Sequence, residues 1–168
     1  MSKARGGSRG RVLPRQRSSA QKASREIGLE ARRRGDLGEV AFVHKAMSLG
    51  LVVAKPYGQL HRYDFIVDGG GGVLRVQVKA CARMKHGLYQ AFICRHEDGV
   101  AIAYTESELD FVVAYIVPEE TWYVLPVREV TGRRTVLFRP KGCLRPDPYA
   151  CYREAWHLLR EPDGLTFG

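Results

Sequence analysis

Four consecutive glycines at positions 69–72 separate two stretches in which apolar and polar side chains alternate, Tyr63–Val67 and Val73–Ala80. A period of two marks a strand with one buried face, and a glycine run between two such strands predicts an antiparallel hairpin. Closing the hairpin on those glycines pairs Asp68 with Val73, Val67 with Leu74, Ile66 with Arg75, Phe65 with Val76 and Asp64 with Gln77. Opposed residues share a sheet face, so Phe65, Val67, Leu74, Val76 and Val78 make an apolar face. The other face gathers Asp64, Ile66, Arg75, Gln77 and Lys79. Slipping one strand by one residue would bury charges, so the apolar alternation fixes the register. The glycines themselves read as a flexible turn, because no helix follows them and no P-loop lysine accompanies them.

The polar face is where chemistry is expected. Asp64 and Gln77 fall opposite one another, and Lys79 lies two residues along. A carboxylate, a second oxygen donor and an ammonium in one layer suit metal-assisted phosphodiester hydrolysis. Mg²⁺ takes oxygen ligands and keeps several waters, so a carboxylate, an amide oxygen and a backbone carbonyl suffice. The ion polarises the phosphate and acidifies water, and a lysine orients that water or stabilises developing charge.

Around the hairpin the sequence reads as one domain. Residues 1–23, rich in Gly, Ser and Arg, are expected to be disordered without a ligand. A short helix is possible over Ser24–Arg34, with Ile27 and Ala31 four apart beside Ala23. A stronger helix is expected over about 36–49, with Leu37, Val40, Ala41, His44, Met47 and Leu49 as its apolar face and Gly50 as its stop. Further strands are expected at Leu51–Lys55, Leu88–Cys94, Phe111–Val117 and Thr121–Pro126, with an edge strand at Val136–Phe138. A closing helix is expected over Tyr149–Leu159, with Tyr152, Ala155, Trp156 and Leu159 on one side. Helix, strands and closing helix make an α/β or α+β domain of three layers. The division expected is a basic arm (1–34), a folded domain (35–160) and a short tail (161–168).

Charge points to a polyanionic partner. Residues 1–34 hold 11 Lys or Arg against 2 Glu, whereas residues 35–168 hold 16 basic and 16 acidic residues. The entire net charge of +9 thus sits in the arm, which ends in Arg32, Arg33 and Arg34. Such an arm fits phosphate neutralisation on nucleic acid; a solubilising tail is the plainer alternative. Arg62, Arg83 and Lys85, near strand ends, are candidate phosphate contacts, and His61 and His86 flank the site strands. Trp122, Tyr123, Tyr152 and Trp156 are expected in the core or an interface, and Asp110 at a turn. Cys81, Cys94, Cys143 and Cys151 have no zinc-ligand spacing and read as reduced, mostly buried thiols. With no apolar span and no signal-peptide anatomy, a cytoplasmic location away from membranes is expected. Gly6, Gly7, Gly10 and Pro14 interrupt what would otherwise suit an amphipathic transit peptide.

The ordered set Gly35-Asp36-Leu37-Gly38-Glu39, Pro56, Tyr63-Asp64-Phe65-Ile66-Val67 and Val76-Gln77-Val78-Lys79 resembles the PD-(D/E)XK nuclease superfamily. The branch is that of group I intron-associated endonucleases. The likeness runs on through Leu109-Asp110-Phe111 and Trp122–Val127 to Tyr152-Arg153-Glu154-Ala155-Trp156, covering most of residues 35–159. It implies a restriction-endonuclease-like core, a central mixed β-sheet flanked by helices. It also implies that Glu39 is the helix carboxylate, Asp64 the metal-binding aspartate, Gln77 the occupant of the second acidic position and Lys79 the catalytic lysine. The Val78 carbonyl is then a further metal ligand. Gln77 departs from the usual Asp or Glu, although some members of that branch similarly use Gln; a neutral amide lowers the site's negative charge. The function expected is a Mg²⁺-dependent endodeoxyribonuclease, with the homing type as the form the resemblance suggests, working on DNA as a homodimer or higher homo-oligomer because one site cuts one strand. The alternatives are a structure-selective nuclease of the Holliday-junction-resolvase type and a non-catalytic DNA-binding module.

Overall fold

The computed structural model describes residues 18–58 and 61–160. One helix, α1 (Ser19–Ser48), is followed by ten strands: β1 (Val52–Ala54), β2 (Phe65–Asp68), β3 (Val73–Cys81), β4 (Met84–Lys85), β5 (Leu88–Phe92), β6 (Cys94–Glu97), β7 (Val100–Ala103), β8 (Phe111–Ile116), β9 (Thr121–Pro126) and β10 (Thr135–Phe138). The central sheet has the order β1-β2-β3-β8-β9, and it is mixed. β3 and β8 run parallel, while the other neighbours are antiparallel. The hairpin register is the one that the apolar alternation requires, with Phe65 opposite Val76 and Asp68 opposite Val73.

The expected α+β class with a mixed central sheet is present. α1 covers one face, over a core of Phe42, Ala46, Phe65, Val67, Leu74, Val76, Val78 and Trp156. The other face is covered chiefly by a small sheet of order β10-β5-β4 rather than by helices, with Tyr89, Ala91, Val136 and Phe138 packed on Val112, Ala114, Tyr123 and Leu125. Expected strand Leu88–Cys94 divides at Ile93 into β5 and β6, and β6 forms a hairpin with β7 that the sequence pattern did not announce.

Four expectations need correction. The two N-terminal helices are one, so the arm is helical from Ser19 onward; residues 1–17 and the tail 161–168 lie outside the described residues. Extending an existing helix needs no new nucleus, and Ala20, Ala23 and Ala31 with long Lys, Arg and Glu side chains propagate it well. The buried stripe of α1 is also rotated from the face expected. Gly38, Phe42 and Ala46 face the sheet, whereas Leu37, Val40, His44 and Met47 are exposed. Phe42 dominates this choice: its ring lies 5.2 Å from Phe65 and 6.0 Å from Trp156.

The third correction is at the C-terminal end, where two 3₁₀ turns, Ala150–Tyr152 and Trp156–Leu159, replace the expected helix. Between them Arg153 is extended and bridges to Tyr123. The Glu154 N–H donates to the Trp122 carbonyl at 2.8 Å, and the Glu154 carboxylate accepts the Trp122 N–H at 2.8 Å. The segment satisfies the free edge of β9, and a continuous helix could not do so. Fourth, of the four free cysteines only Cys81 and Cys94 are buried, while Cys143 and Cys151 are exposed. Among the described residues no helix is long and apolar enough to cross a membrane.

Candidate active site

β3 overruns β2. β2 pairs with it from Val73 to Val76, whereas β8 accompanies it from Val76 to Cys81. The edge of residues 77–81 that faces away from β8 is therefore a notch, and Asp64 stands at its head. The Asp64 N–H donates to the Val76 carbonyl at 2.9 Å, carrying the ladder one step beyond β2. Its side chain then substitutes for further strand. Oδ2 accepts the Val78 N–H at 2.8 Å and the Gln77 Nε2 donor at 2.5 Å. In a strand the N–H and C=O of one residue point to the same edge, so the Val78 carbonyl opens into the notch as well. It lies 3.4 Å from Gln77 Nε2.

Glu39 reaches the notch from the helix side. α1 comes this close because position 38 is glycine: a Cβ there would stand 2.7 Å from the Ala80 Cβ. Gly38 thus gives the Gly-x-x-Gly-Glu pattern a physical meaning, setting the next residue beside the overrun of β3. The Glu39 carboxylate accepts a hydrogen bond from Lys55 Nζ at 2.7 Å. Glu39, Lys55, His61, Tyr63 and Asp64 line one cavity of about 120 Å³. Lys55 went unremarked in the sequence; its place after β1, ahead of Pro56, was the available clue. The Glu39 hydrogen bond and charge raise the Lys55 pKa above its ordinary value.

Lys79 approaches from the opposite face. Burial lowers its pKa, opposed by the charge of Asp64. Burial likewise raises the pKa of Asp64, against the Val78 N–H, the Lys79 charge and the Gln77 amide, with Glu39 adding to the rise. Both groups therefore titrate more easily toward neutrality than their free counterparts, which suits groups that exchange protons or hydrogen bonds with a substrate. Tyr104, just after β7, was missed by sequence reading because its apolar surroundings look like ordinary core. Its ring centroid is 5.8 Å from Lys79 Nζ, and its hydroxyl donates to Gln77 Oε1 at 3.5 Å. Burial pushes its pKa up to about 12.

The other candidates fall in different places. Arg32 and Arg33 are exposed on α1, and Arg34 lies 3.6 Å from Glu30. Arg83 and Lys85 are exposed around β4, with Arg83 3.5 Å from Glu30. Arg62 is bound to Glu97 and sits 3.9 Å from Glu108, in a network with Arg95. That network tethers the segment before Asp64 to the β6–β7 hairpin. His61 Nε2 lies 3.0 Å from the Tyr57 carbonyl, and His86 occupies a turn with φ 51°. Asp110 does more than end a turn: its carboxylate accepts the Arg75 N–H at 2.7 Å and the Arg75 guanidinium at 2.9 and 3.1 Å. Trp122 and Trp156 belong to the core on the α1 side, Tyr123 to the opposite core, and Tyr152 packs partly buried against the latter.

A mixed central sheet with a helix laid across one face is the restriction-endonuclease-like fold. The chain belongs to the PD-(D/E)XK endonuclease family, whose model matches residues 29–159. Among solved structures it is similar to a bacterial homing endonuclease, I-Ssp6803I, with 28% sequence identity and a TM-score of 0.62 over 76% of this chain and 88% of that one. Among curated proteins no match is found.

Proposed function

We propose that this chain is a Mg²⁺-dependent endodeoxyribonuclease of the homing type, acting on DNA in the cytoplasm as a homodimer or higher homo-oligomer. The observation that carries this reading is the hold on Asp64. With Oδ2 engaged by Val78 and Gln77, Oδ1 accepts no hydrogen bond among the described residues and is free to face a ligand. The likeness to a bacterial homing endonuclease over 88% of its length supports the homing assignment over a junction-resolving one.

The donor set fits Mg²⁺. All its members are oxygens: the Asp64 and Glu39 carboxylates, the Val78 carbonyl and the Gln77 amide after a half-turn, since Gln77 now presents nitrogen to Asp64. Among the described residues no three His, Cys, Asp or Glu gather into a cage, so water would complete the shell, as Mg²⁺ prefers. When bound, the ion supplies Lewis acidity toward phosphate oxygens and acidifies water. Asp64 orients the reacting phosphate from the head of the notch. Lys79 donates hydrogen bonds to the developing phosphate charge or holds the attacking water in line. Exposed Arg32, Arg33, Arg83 and Lys85 hold backbone phosphates and set the register of the duplex.

The test is a nicking assay on supercoiled plasmid, run with Mg²⁺, with Ca²⁺ and with chelator. Nicked and linear products with Mg²⁺ alone are expected. Intact plasmid under all conditions, with binding retained, would leave a non-catalytic DNA-binding module. Preferential cutting of a four-way junction over linear duplex would move the reading to a resolvase.

A further inference from the structure

Resting on that reading of the site, we propose that Tyr104 is a positioning residue, whose hydroxyl fixes the Gln77 amide that orients Asp64 while its ring holds Lys79 in the notch. Gln77 is a buried amide with two ends. Its nitrogen engages Asp64 at 2.5 Å, and its oxygen receives the Tyr104 hydroxyl at 3.5 Å. A terminal amide has two nearly equivalent orientations; the Asp64 carboxylate, which only accepts, selects the nitrogen end, and the Tyr104 hydroxyl holds the far end in place. A hydroxyl donates to Oε1 or accepts from Nε2, so Tyr104 satisfies this amide whichever end faces Asp64. A phenylalanine satisfies neither.

The same side chain sets the lysine. With its ring centroid 5.8 Å from Lys79 Nζ, it lies within the range of cation–π attraction, which adds to the pull of the Asp64 charge on the ammonium. Tyr104 is itself 7% exposed, and its backbone position is pinned from both sides. On one side Arg95 of β6 donates to the Ala103 carbonyl at 3.4 Å and pairs with Glu108, and on the other the Thr105 N–H donates to the Glu108 carboxylate at 3.0 Å. The β6–β7 hairpin thus becomes a buttress for the catalytic face rather than a peripheral excursion.

The test uses the full chain with Tyr104→Phe, Gln77→Ala and the double variant, each first melted to establish that it is folded at the assay temperature. Two readouts are taken: kcat and KM for plasmid nicking, and the affinity for Mg²⁺ alone by calorimetry. Losing one hydrogen bond to a buried group predicts that Tyr104→Phe lowers kcat by about tenfold with KM for DNA unchanged. Mg²⁺ binding should weaken by about threefold to tenfold, and the phenylalanine should add nothing in the Gln77→Ala background. Tyr104→Leu, which also removes the ring, should lower kcat further than Tyr104→Phe. Wild-type values in Tyr104→Phe, or an undiminished effect on Mg²⁺ binding without Gln77, would overturn the inference. A wild type that neither nicks nor binds Mg²⁺ would remove the reading beneath it, and the inference with it.

Discussion

Asp64 stands one residue ahead of β2, and beyond that strand's pairing with β3 its carboxylate accepts the Val78 N–H at 2.8 Å in place of a backbone carbonyl. One side chain thereby closes the sheet ladder and presents its second oxygen to the notch.

Asp64→Asn should lose cleavage without losing stability. Burial raises the folded-state pKa of Asp64, so its ionised form is disfavoured by folding. The amide oxygen of asparagine still accepts the Val78 N–H. The destabilisation from the wild-type charge appears as pH rises from the ordinary carboxylate value to the raised one, persists above it and vanishes below the ordinary value. The variant should therefore melt at or above wild type at pH 7 and lose that advantage in acid. A lower melting temperature at pH 7 would show that Asp64 is chiefly structural.

Gln77→Glu should couple stability to metal. It sets a second carboxylate against Asp64 Oδ2, where Nε2 now donates at 2.5 Å, and like charges at that range disfavour joint ionisation. The variant should melt lower than wild type in chelator and recover with Mg²⁺, by linkage to binding, with metal affinity equal to or above wild type. Gln77→Leu should lose activity. If Gln77→Leu cleaves as wild type across a Mg²⁺ titration, Gln77 is only a strand residue.

Gly38→Ala should damage the site through the helix. The added methyl would meet the Ala80 Cβ at 2.7 Å, forcing α1 off the sheet at about 1–3 kcal/mol and moving Glu39. Ala80→Gly in the same chain should restore much of the stability and the activity. Equal melting of wild type and Gly38→Ala would show that the close approach is not needed.

Much of this was legible in the sequence because strand alternation is a local signal. The Phe65–Val76 and Asp68–Val73 pairs follow from the apolar face alone. Glu39 and Lys79 were located through pattern, and the structure brings them to the same notch from opposite faces of the sheet. The rotation of α1 was not legible. Leu37, Val40 and Met47 fit a helical face as well as Phe42 and Ala46 do, and only the aromatic cluster in three dimensions decides between them. The glycines do turn the β2–β3 hairpin as expected, but Gly69 has a further role the sequence did not announce: a Cβ there would lie 2.2 Å from the Leu159 carbonyl, so the glycine admits the C-terminal turn. Tyr104 was invisible as a site residue because its role depends on contacts distant in sequence, and Lys55 offered only its place after β1 as a clue.

The basic arm should govern salt dependence. Residues 1–17 carry Lys3, Arg5, Arg9, Arg11, Arg15 and Arg17, and truncation to residue 18 leaves α1 whole. If about four of these charges engage phosphates, the log–log salt slope of DNA binding falls by roughly three to four units. Cognate and random duplexes should weaken alike, since phosphate contacts carry no sequence information. An unchanged slope would make the arm a solubilising tail.

The central claim is that the overrun of β3 is a catalytic centre, and Lys79→Ala beside Asp64→Ala tests it most directly. Each purified variant is compared with wild type for Mg²⁺-dependent nicking of supercoiled plasmid and, in Ca²⁺, for affinity to the same DNA. The account predicts that both variants lose nicking by at least about a hundredfold while binding DNA within a few-fold of wild type. Wild-type nicking rates in both variants would contradict it.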